Sequence, residues 1–521
     1  MKNTKINISD KGVHFYWSQK KASIAQDIYN KYCKPGDVIM DPFLGGGSSL
    51  YAIRNTAYKF IGVELNELPC KIAEFNTHPI NNKLISKLKI TFHELKSKLN
   101  HLYEYKSKDN SLLEFKKVIF SNKQNPAISN IYFENKHGKQ IVYTGSDALA
   151  EEYKKRFLHF FDEIKALDNV ELIKNSRIAI SDNMLLSDIF SPINFYILTK
   201  IKSQIGDNHE FKFIIGSILH LCKLTDTHSQ SQFPYWIPKN NIVDRNIFNT
   251  IESKINSLEK LLGQGEIPNH KNINELLESR RNGCIIINKP IQGISNEDVP
   301  DNSVDFILTD PPYFDQVAYS EYLKIWEFFL GYKSNLEDEI VVSQRKKQPS
   351  NEVKYLKNIE SSFLLLFNKL KMNSLMYVYF KDSRLDKMGD FLQTLKNVGF
   401  EFIGQEHIKT QKFTYKQNAS TKTTISGECI LKFRKYCNNE IKYISKSLED
   451  RINVSEVIKT YVVEYLKNNS SATLGEILNS GLVKVLFENN ALQFLKKSKT
   501  LVNVIESFCV YNKISREYSL K

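Results

Sequence analysis

The chain has 521 residues, 41% of them hydrophobic, which is too long for one typical domain and apolar enough for ordinary cores, so two or three domains are expected. Its 72 Lys and Arg against 58 Asp and Glu leave a net charge of +14, the balance of a protein that neutralises phosphates or of a surface kept soluble by lysines. Seven cysteines without a Cys-x-x-Cys pair argue against a zinc ribbon or a disulfide framework, no metal is expected, and no apolar run approaches the roughly 18 residues of a membrane span or forms a signal-peptide core, so a cytoplasmic protein with no membrane partner is expected.

Val38-Ile39-Met40 is the first buried-strand signal, and it runs into Asp41-Pro42-Phe43-Leu44-Gly45-Gly46-Gly47-Ser48-Ser49. Leu50, Ala52 and Ile53 then begin a helical pattern, which places the glycines in a strand-to-helix turn with Ser48 or Ser49 as N-cap. Glycines there let a nucleotide-like ligand approach the backbone closely. The next strand, Phe60 to Val63, ends in Glu64, 19 residues after Gly45 and near the spacing at which an acid meets the ribose hydroxyls of an adenosine cofactor. No Gly-Lys-Ser/Thr follows the turn and no Gly-x-Gly-x-x-Gly spaces it, so a cofactor with an adenosine but without phosphates fits better than a nucleotide phosphate or a dinucleotide.

From about residue 80 to 280 the pattern changes. Leu84, Leu88, Phe92, Leu95, Leu99 and Leu102 predict one long amphipathic helix. Ile131-Tyr132-Phe133 and Ile141-Val142-Tyr143, either side of a polar run with Gly138, predict a hairpin, and helical periodicity returns from Ala150 to about Lys202. The run from His228 to Lys239 sets amides beside aromatics and a lysine. Gln230, Gln232, Tyr235, Trp236 and Lys239 are therefore candidate DNA contacts, against the alternative of a loop anchored by its aromatic rings.

Strand patterns resume at Cys284, and the apolar run Val304 to Leu308 ends in Asp310-Pro311-Pro312-Tyr313. Two prolines fix the backbone and leave carbonyls free, so Asp310, Pro311 and Pro312 form a rigid acceptor cluster beside the Tyr313 ring, suited to an amino group on a planar base; a plain strand-end turn is the alternative. Tyr319 to Phe329 follows as a helix, then a polar stretch with Arg345 and Lys346. Leu375 to Phe380 is a further buried strand, and Gly399 to Gly404 with Glu428 to Phe433 form a terminal antiparallel pair. The lysine-rich loop between them, including Lys412, is a second candidate DNA-facing loop. Beyond Lys435 the pattern is helical, read as an accessory or protein-contact module, with a winged-helix DNA-binding unit as the alternative.

The Asp41 to Gly47 and Asp310 to Tyr313 segments together resemble the S-adenosylmethionine-dependent DNA methyltransferases that modify exocyclic amino groups. The resemblance covers about residues 12 to 77 and 283 to 433. It implies an α/β, Rossmann-like methyltransferase sheet with helices on both faces, S-adenosyl-L-methionine as cofactor, and double-stranded DNA as substrate, with a cognate restriction enzyme or defence-system subunit as partner. It also implies that His14, Gln19, Asp41, Pro42, Phe43, Gly45, Gly47, Glu64 and Asn66 bind the cofactor, with Lys20 and Lys34 to Asp37 in the same lead-in, and that Asp310 to Tyr313 act on the flipped base. The strand Ile285-Ile286-Ile287 ends at Asn288 where the family often has an Asp against the cofactor's adenine. The motif order matches the subgroup with target recognition between the two motifs, whereas the wording of the cofactor motif is closer to the subgroup with the opposite order. The organisation expected is residues 1–79 as the first half of the methyltransferase domain, 80–280 as an inserted, mainly helical target-recognition region, 281–436 as the second half and 437–521 as a helical accessory module. Adenine N6 is the expected target, because relatives acting on cytosine N4 more often carry Ser where Asp310 stands; an RNA guanine methyltransferase and an inactive DNA-binding protein are the further alternatives.

Overall fold

The computed structural model describes residues 13–14, 16–17, 19–121, 127–226, 241–314, 319–343, 350–380, 384–408, 428–436, 453–495 and 498–521. Its first half holds β1 (Val38–Asp41), the short helix Ser48–Tyr51, β2 (Lys59–Glu64) and the helix Glu67–Thr77. The inserted stretch carries β3 (Glu104–Lys106), β4 (Leu112–Phe120), β5 (Ile128–Asn135), β6 (Gln140–Thr144), β7 (Thr225–Asp226) and β8 (Ile242–Arg245) among its helices. Then come β9 (Gly283–Asn288), β10 (Val304–Thr309), β11 (Leu370–Phe380), β12 (Phe400–Ile408) and β13 (Glu428–Lys435), and finally β14 (Cys509–Asn512) and β15 (Glu517–Leu520).

The central sheet runs β12-β13-β11-β10-β1-β2-β9, with β11, β10, β1, β2 and β9 parallel and β13 antiparallel to both its neighbours. Every residue of β1 is buried and so are five of the six in β2, which is why these segments read as unbroken apolar runs. Helices cover both faces, giving the expected doubly wound α/β architecture. From β1 the chain moves outward to β2 and β9, then returns to place β10 on the other side of β1. That reversal makes the carboxyl ends of β1 and β10 the topological switch point, where a crevice opens in such sheets. Asp41 and Asp310 stand at these two ends.

The insert contains more sheet than the periodicity indicated. The hairpin is present, with Ile131 opposite Tyr143 and Phe133 opposite Ile141, but it belongs to a six-stranded antiparallel sheet in which β3, β7 and β8 are two to four residues long and the alternation of β4 is broken by a bulge between Phe115 and Lys117. The long helix spans Asn82–Leu99 and stops before Leu102, which falls in a 3-10 turn. Trp326, in the helix Tyr319–Leu330, donates its indole N–H to the Gly216 carbonyl at 2.9 Å, which ties the insert to the chain after β10.

After β13 the described chain forms the helix Val454–Asn469, a helical stretch Leu474–Glu488 kinked at Gly481, the helix Ser498–Phe508 and the β14–β15 hairpin. This segment shares one apolar core with the second half of the central sheet: Leu478, Leu482 and Ile505 are buried in the same cluster as Met376 and Phe433. It lies along the edge strand β12, where Gln405 donates to the Leu478 carbonyl at 3.1 Å and Phe402 meets Phe487 edge-on at 5.8 Å. An edge strand covered in this way cannot pair with another chain.

Candidate active site

A cleft enclosing roughly 1040 Å³, solvent at its mouth included, opens at the switch point. Its floor is the glycine turn. Gly45 and Gly47 have φ of +51° and +82°, a region that L side chains rarely adopt, and a Cβ on Gly46 would stand 3.0 Å from the Tyr16 Cβ and 3.5 Å from the Gln19 amide nitrogen. The lead-in segment therefore lies directly on the turn. It is held from the far side as well, by Tyr16 stacked on Tyr319 and Trp17 stacked on Tyr322 at 4.8 Å.

Two buried carboxylates brace the turn. Asp41 accepts from the Phe43 N–H at 3.1 Å, from Thr309 at 2.8 Å and from Ser49 at 2.5 Å, so it joins β1 to the end of β10. Glu64 accepts from the Gly45 N–H at 2.9 Å and the Asn66 N–H at 3.0 Å. Burial pushes the Asp41 carboxyl up to about 6 and the Glu64 carboxyl up to about 7, with these hydrogen bonds opposing the rise in both.

Asp310 faces the same cleft. Its Oδ2 lies 3.3 Å from the Lys20 ammonium, which also stands 5.1 Å from the centre of the Tyr379 ring. The Tyr313 hydroxyl is within hydrogen-bonding reach of both Asp310 Oδ1 and the Tyr379 carbonyl, and having one proton it donates to one of them at a time. The Tyr313 ring packs edge-on against Phe380 at 5.4 Å. Tyr355, from the helix Glu352–Lys369, donates to the Pro312 carbonyl at 2.7 Å and fixes the end of the motif.

Gln19, Asp41, Pro42, Phe43, Gly45, Glu64, Asn66, Asp310 and Pro312 all line this cleft. His14 does not: it packs against Phe213, fills the space left by Gly216 and lines a second cavity behind the helix Glu67–Thr77. Gly47 also lies off the cleft, in contact range of Ala73 and Tyr51, so its missing side chain serves helix packing. Pro311 is buried and Tyr313 is turned onto Phe380, so neither borders the cleft wall in this state. Neither serine is the N-cap, which is Gly47; Ser49 is instead the donor to Asp41. Asn288 donates to the Glu64 and Leu65 carbonyls, and the wall beyond it is built by Lys289 to Gln292. Gln230, Gln232, Tyr235, Trp236, Lys239, Arg345, Lys346 and Lys412 lie outside the described residues. Lys20 and Tyr379 are the neighbours of Asp310 that motif reading did not place there. Only the pairing of β10 with β11 brings Tyr379 alongside.

The carboxylates of Asp41, Glu64, Asp310, Asp338 and Glu339 outnumber the lysines 20, 21 and 289 along the lining, which suits a cationic ligand and disfavours a polyphosphate. A carboxylate one turn from the glycines, with lone pairs beyond its two backbone donors, suits vicinal hydroxyls. Among the described residues no group of His, Cys, Asp and Glu could hold a metal ion, and no helix is long and apolar enough to cross a membrane.

A family model described as DNA methylase, of the N6/N4 type, matches residues 2–75 and 304–499, just over half of the chain, and passes over the stretch between them. The chain belongs to this family, and S-adenosyl-L-methionine is its methyl donor. A curated relative, the Type II methyltransferase M.MjaII of Methanocaldococcus jannaschii, is 21% identical over 154 residues, a match covering 30% of this chain and 28% of the relative. Among solved structures, a Thermus thermophilus protein provisionally described as a DNA modification methylase is 13% identical with a TM-score of 0.15, over 31% of this chain and 58% of that one. An arsenic(III) S-adenosylmethionine methyltransferase from Chlamydomonas reinhardtii is 8% identical with a TM-score of 0.17, over 37% and 61%. Scores this low carry no argument about chemistry.

Proposed function

We propose that the protein transfers a methyl group from S-adenosyl-L-methionine to the exocyclic N6 of adenine in double-stranded DNA. The observation that carries this reading is the placement of Asp310 on the same cleft as the glycine turn and Glu64, at the switch point of the sheet. Gln19, Asp41, Phe43, Gly45, Glu64 and Asn66 would hold the cofactor, with Glu64 accepting from the ribose. The cofactor when bound supplies an electrophilic methyl group on a sulfonium. An adenine amino nitrogen has its lone pair delocalised into the ring, and it becomes nucleophilic as it turns tetrahedral. Asp310, accepting one N–H of the amine, favours that change, and the Pro311 carbonyl would take the second N–H only after the motif rearranges to bring it to the cleft. Lys20 pairs with Asp310 across 3.3 Å and helps to position it as an acceptor. The base reaches this point only after leaving the duplex stack, and its arrival requires Tyr313 to swing its ring from Phe380 toward the cleft.

Target choice is assigned to the insert, with Gln230, Gln232, Tyr235, Trp236 and Lys239 reading bases and Arg345, Lys346 and Lys412 meeting phosphates. The biological setting proposed is a restriction-modification or phage-defence system, a reading supported by the Type II methyltransferase relative. Sequencing modified bases in DNA from cells that express the protein tests the whole reading at once. N6-methyladenine within one short motif is the expected result. N4-methylcytosine, the other product chemistry of the family, would replace adenine with cytosine, and no modified base in any DNA would overturn the assignment.

A further inference from the structure

The carboxyl-terminal segment has a surface that the catalytic cleft does not use. Its elements follow in the order helix, single strand residue, kinked helix, helix, hairpin. Ala472 exchanges both backbone hydrogen bonds with Tyr518 of β15, at 3.0 and 2.8 Å, so the residue after the first helix pairs with the last strand. This is a helix-turn-helix closed by a β-wing. The kinked helix Leu474–Glu488 faces the methyltransferase sheet through Asn479 beside His407 at 3.0 Å and Phe487 on Phe402. That docking leaves the helix Ser498–Phe508 and the hairpin on the outside.

The outward helix is divided cleanly. Leu501, Val502 and Ile505 are buried, whereas Lys499, Asn503 and Ser507 are exposed at successive intervals of four along the helix, with the half-buried Glu506 beside them as its one carboxylate. The hairpin turn just beyond presents Lys513 and Ile514, the latter 95% exposed. Eleven residues of helix extend about 16 Å and fit the major groove, where an amide reads adenine and lysine meets guanine or phosphate. An apolar side chain held at a basic turn matches the wedges that proteins insert from the minor groove. The segment docks near the cleft's edge of the sheet: β12 runs in the sense of β11, so His407, which meets Asn479, lies at the end of the sheet that carries Tyr379 and Asp310.

We propose that residues 453–521 form a second grip on duplex DNA, with Lys499, Asn503 and Ser507 in the major groove and Lys513 with Ile514 at the adjoining groove, holding sequence that flanks the target base. The inference rests on the DNA-methyltransferase reading for its choice of duplex DNA over other partners. The test uses the full chain and fluorescence anisotropy with a mixed-sequence duplex of about 30 base pairs, at several salt concentrations. Lys499→Gln with Lys513→Gln is expected to weaken binding at least about tenfold and to make the plot of log affinity against log salt shallower by about 2, one unit for each phosphate no longer neutralised. Ile514→Ser should weaken binding without altering that slope. Melting temperature and cofactor titration verify the fold of each variant. Unchanged affinity and slope in folded variants would overturn the grip, and would do so whether or not the wild type methylates DNA. A wild type that methylates no DNA, alongside variants that still lose duplex affinity, would leave the grip standing and remove the catalytic reading instead.

Discussion

Glu64 braces the glycine turn through Gly45 and Asn66 and still borders the cleft, so it has structural and binding roles that mutation can separate. Glu64→Ala should weaken S-adenosylmethionine binding by at least about tenfold in calorimetry, since charge-assisted bonds to ribose are lost at roughly 1.5 to 3 kcal/mol. Its raised carboxyl adds a pH signature. Glu64 and Asp41 hold their protons more tightly in the fold than in the unfolded chain, so their stabilising effect is complete below about pH 4 and is lost as pH rises through about 6 to 7. Over that window the cofactor-free protein should lose more melting temperature than Glu64→Gln does. Ribose hydroxyls favour the ionised acid, so cofactor affinity should increase as pH passes about 7, and the glutamine variant should be flat. For Asp310→Ala, radiolabelled transfer to DNA should fall at least about a hundredfold while cofactor affinity changes little, because the bond it makes to the amine strengthens only as the nitrogen turns tetrahedral. A folded Asp310 variant with near wild-type transfer would refute the mechanism. Motif reading reached Asp41, Glu64 and Asp310 because each ends an apolar strand, which is a local pattern. It misplaced His14, whose neighbour Gly216 is distant in the chain, and it had no means of setting Tyr379 beside Asp310.

At the level of elements, the buried parallel strands were legible because both of their faces are covered. Of the insert's sheet only the β5–β6 hairpin was, since β3, β7 and β8 have two to four residues and a bulge breaks the alternation of β4. The tail was read as helical with its hairpin unseen: Cys509 to Asn512 and Glu517 to Leu520 are only four residues each. This changes what truncation can test. Removing residues after Tyr436 would take Leu478, Leu482, Phe487 and Ile505 away and bare Phe402 on β12 and the shared core around Met376 and Phe433. The truncated protein should therefore melt earlier or aggregate, by light scattering, before any change in the methylated motif can be read. Point changes in the insert avoid that loss. Gln232→Ala with Trp236→Ala should relax or abolish the motif in base-modification sequencing, whereas Lys499→Gln with Lys513→Gln should leave the motif itself intact.

Across the whole molecule, the net charge of +14 is expected to make DNA association steeply salt-dependent, with affinity falling at least about a hundredfold between 50 and 200 mM salt if five or more phosphates are met. A flat salt response in a titration would remove phosphate neutralisation as the reason for the basic balance. The bond between Thr309 and Asp41 has a further consequence, because the partners are 268 residues apart. At about 5 to 20 residues per second, a ribosome would take on the order of ten to fifty seconds to deliver β10 after β1 has emerged. Throughout that interval one flank of β1 remains an open template, and the insert's apolar cluster also waits for Tyr322, Trp326 and Phe329, which follow β10 in the chain. The cleft is thus among the last features to be assembled during synthesis, and the nascent chain is most exposed to misassociation before its catalytic half exists.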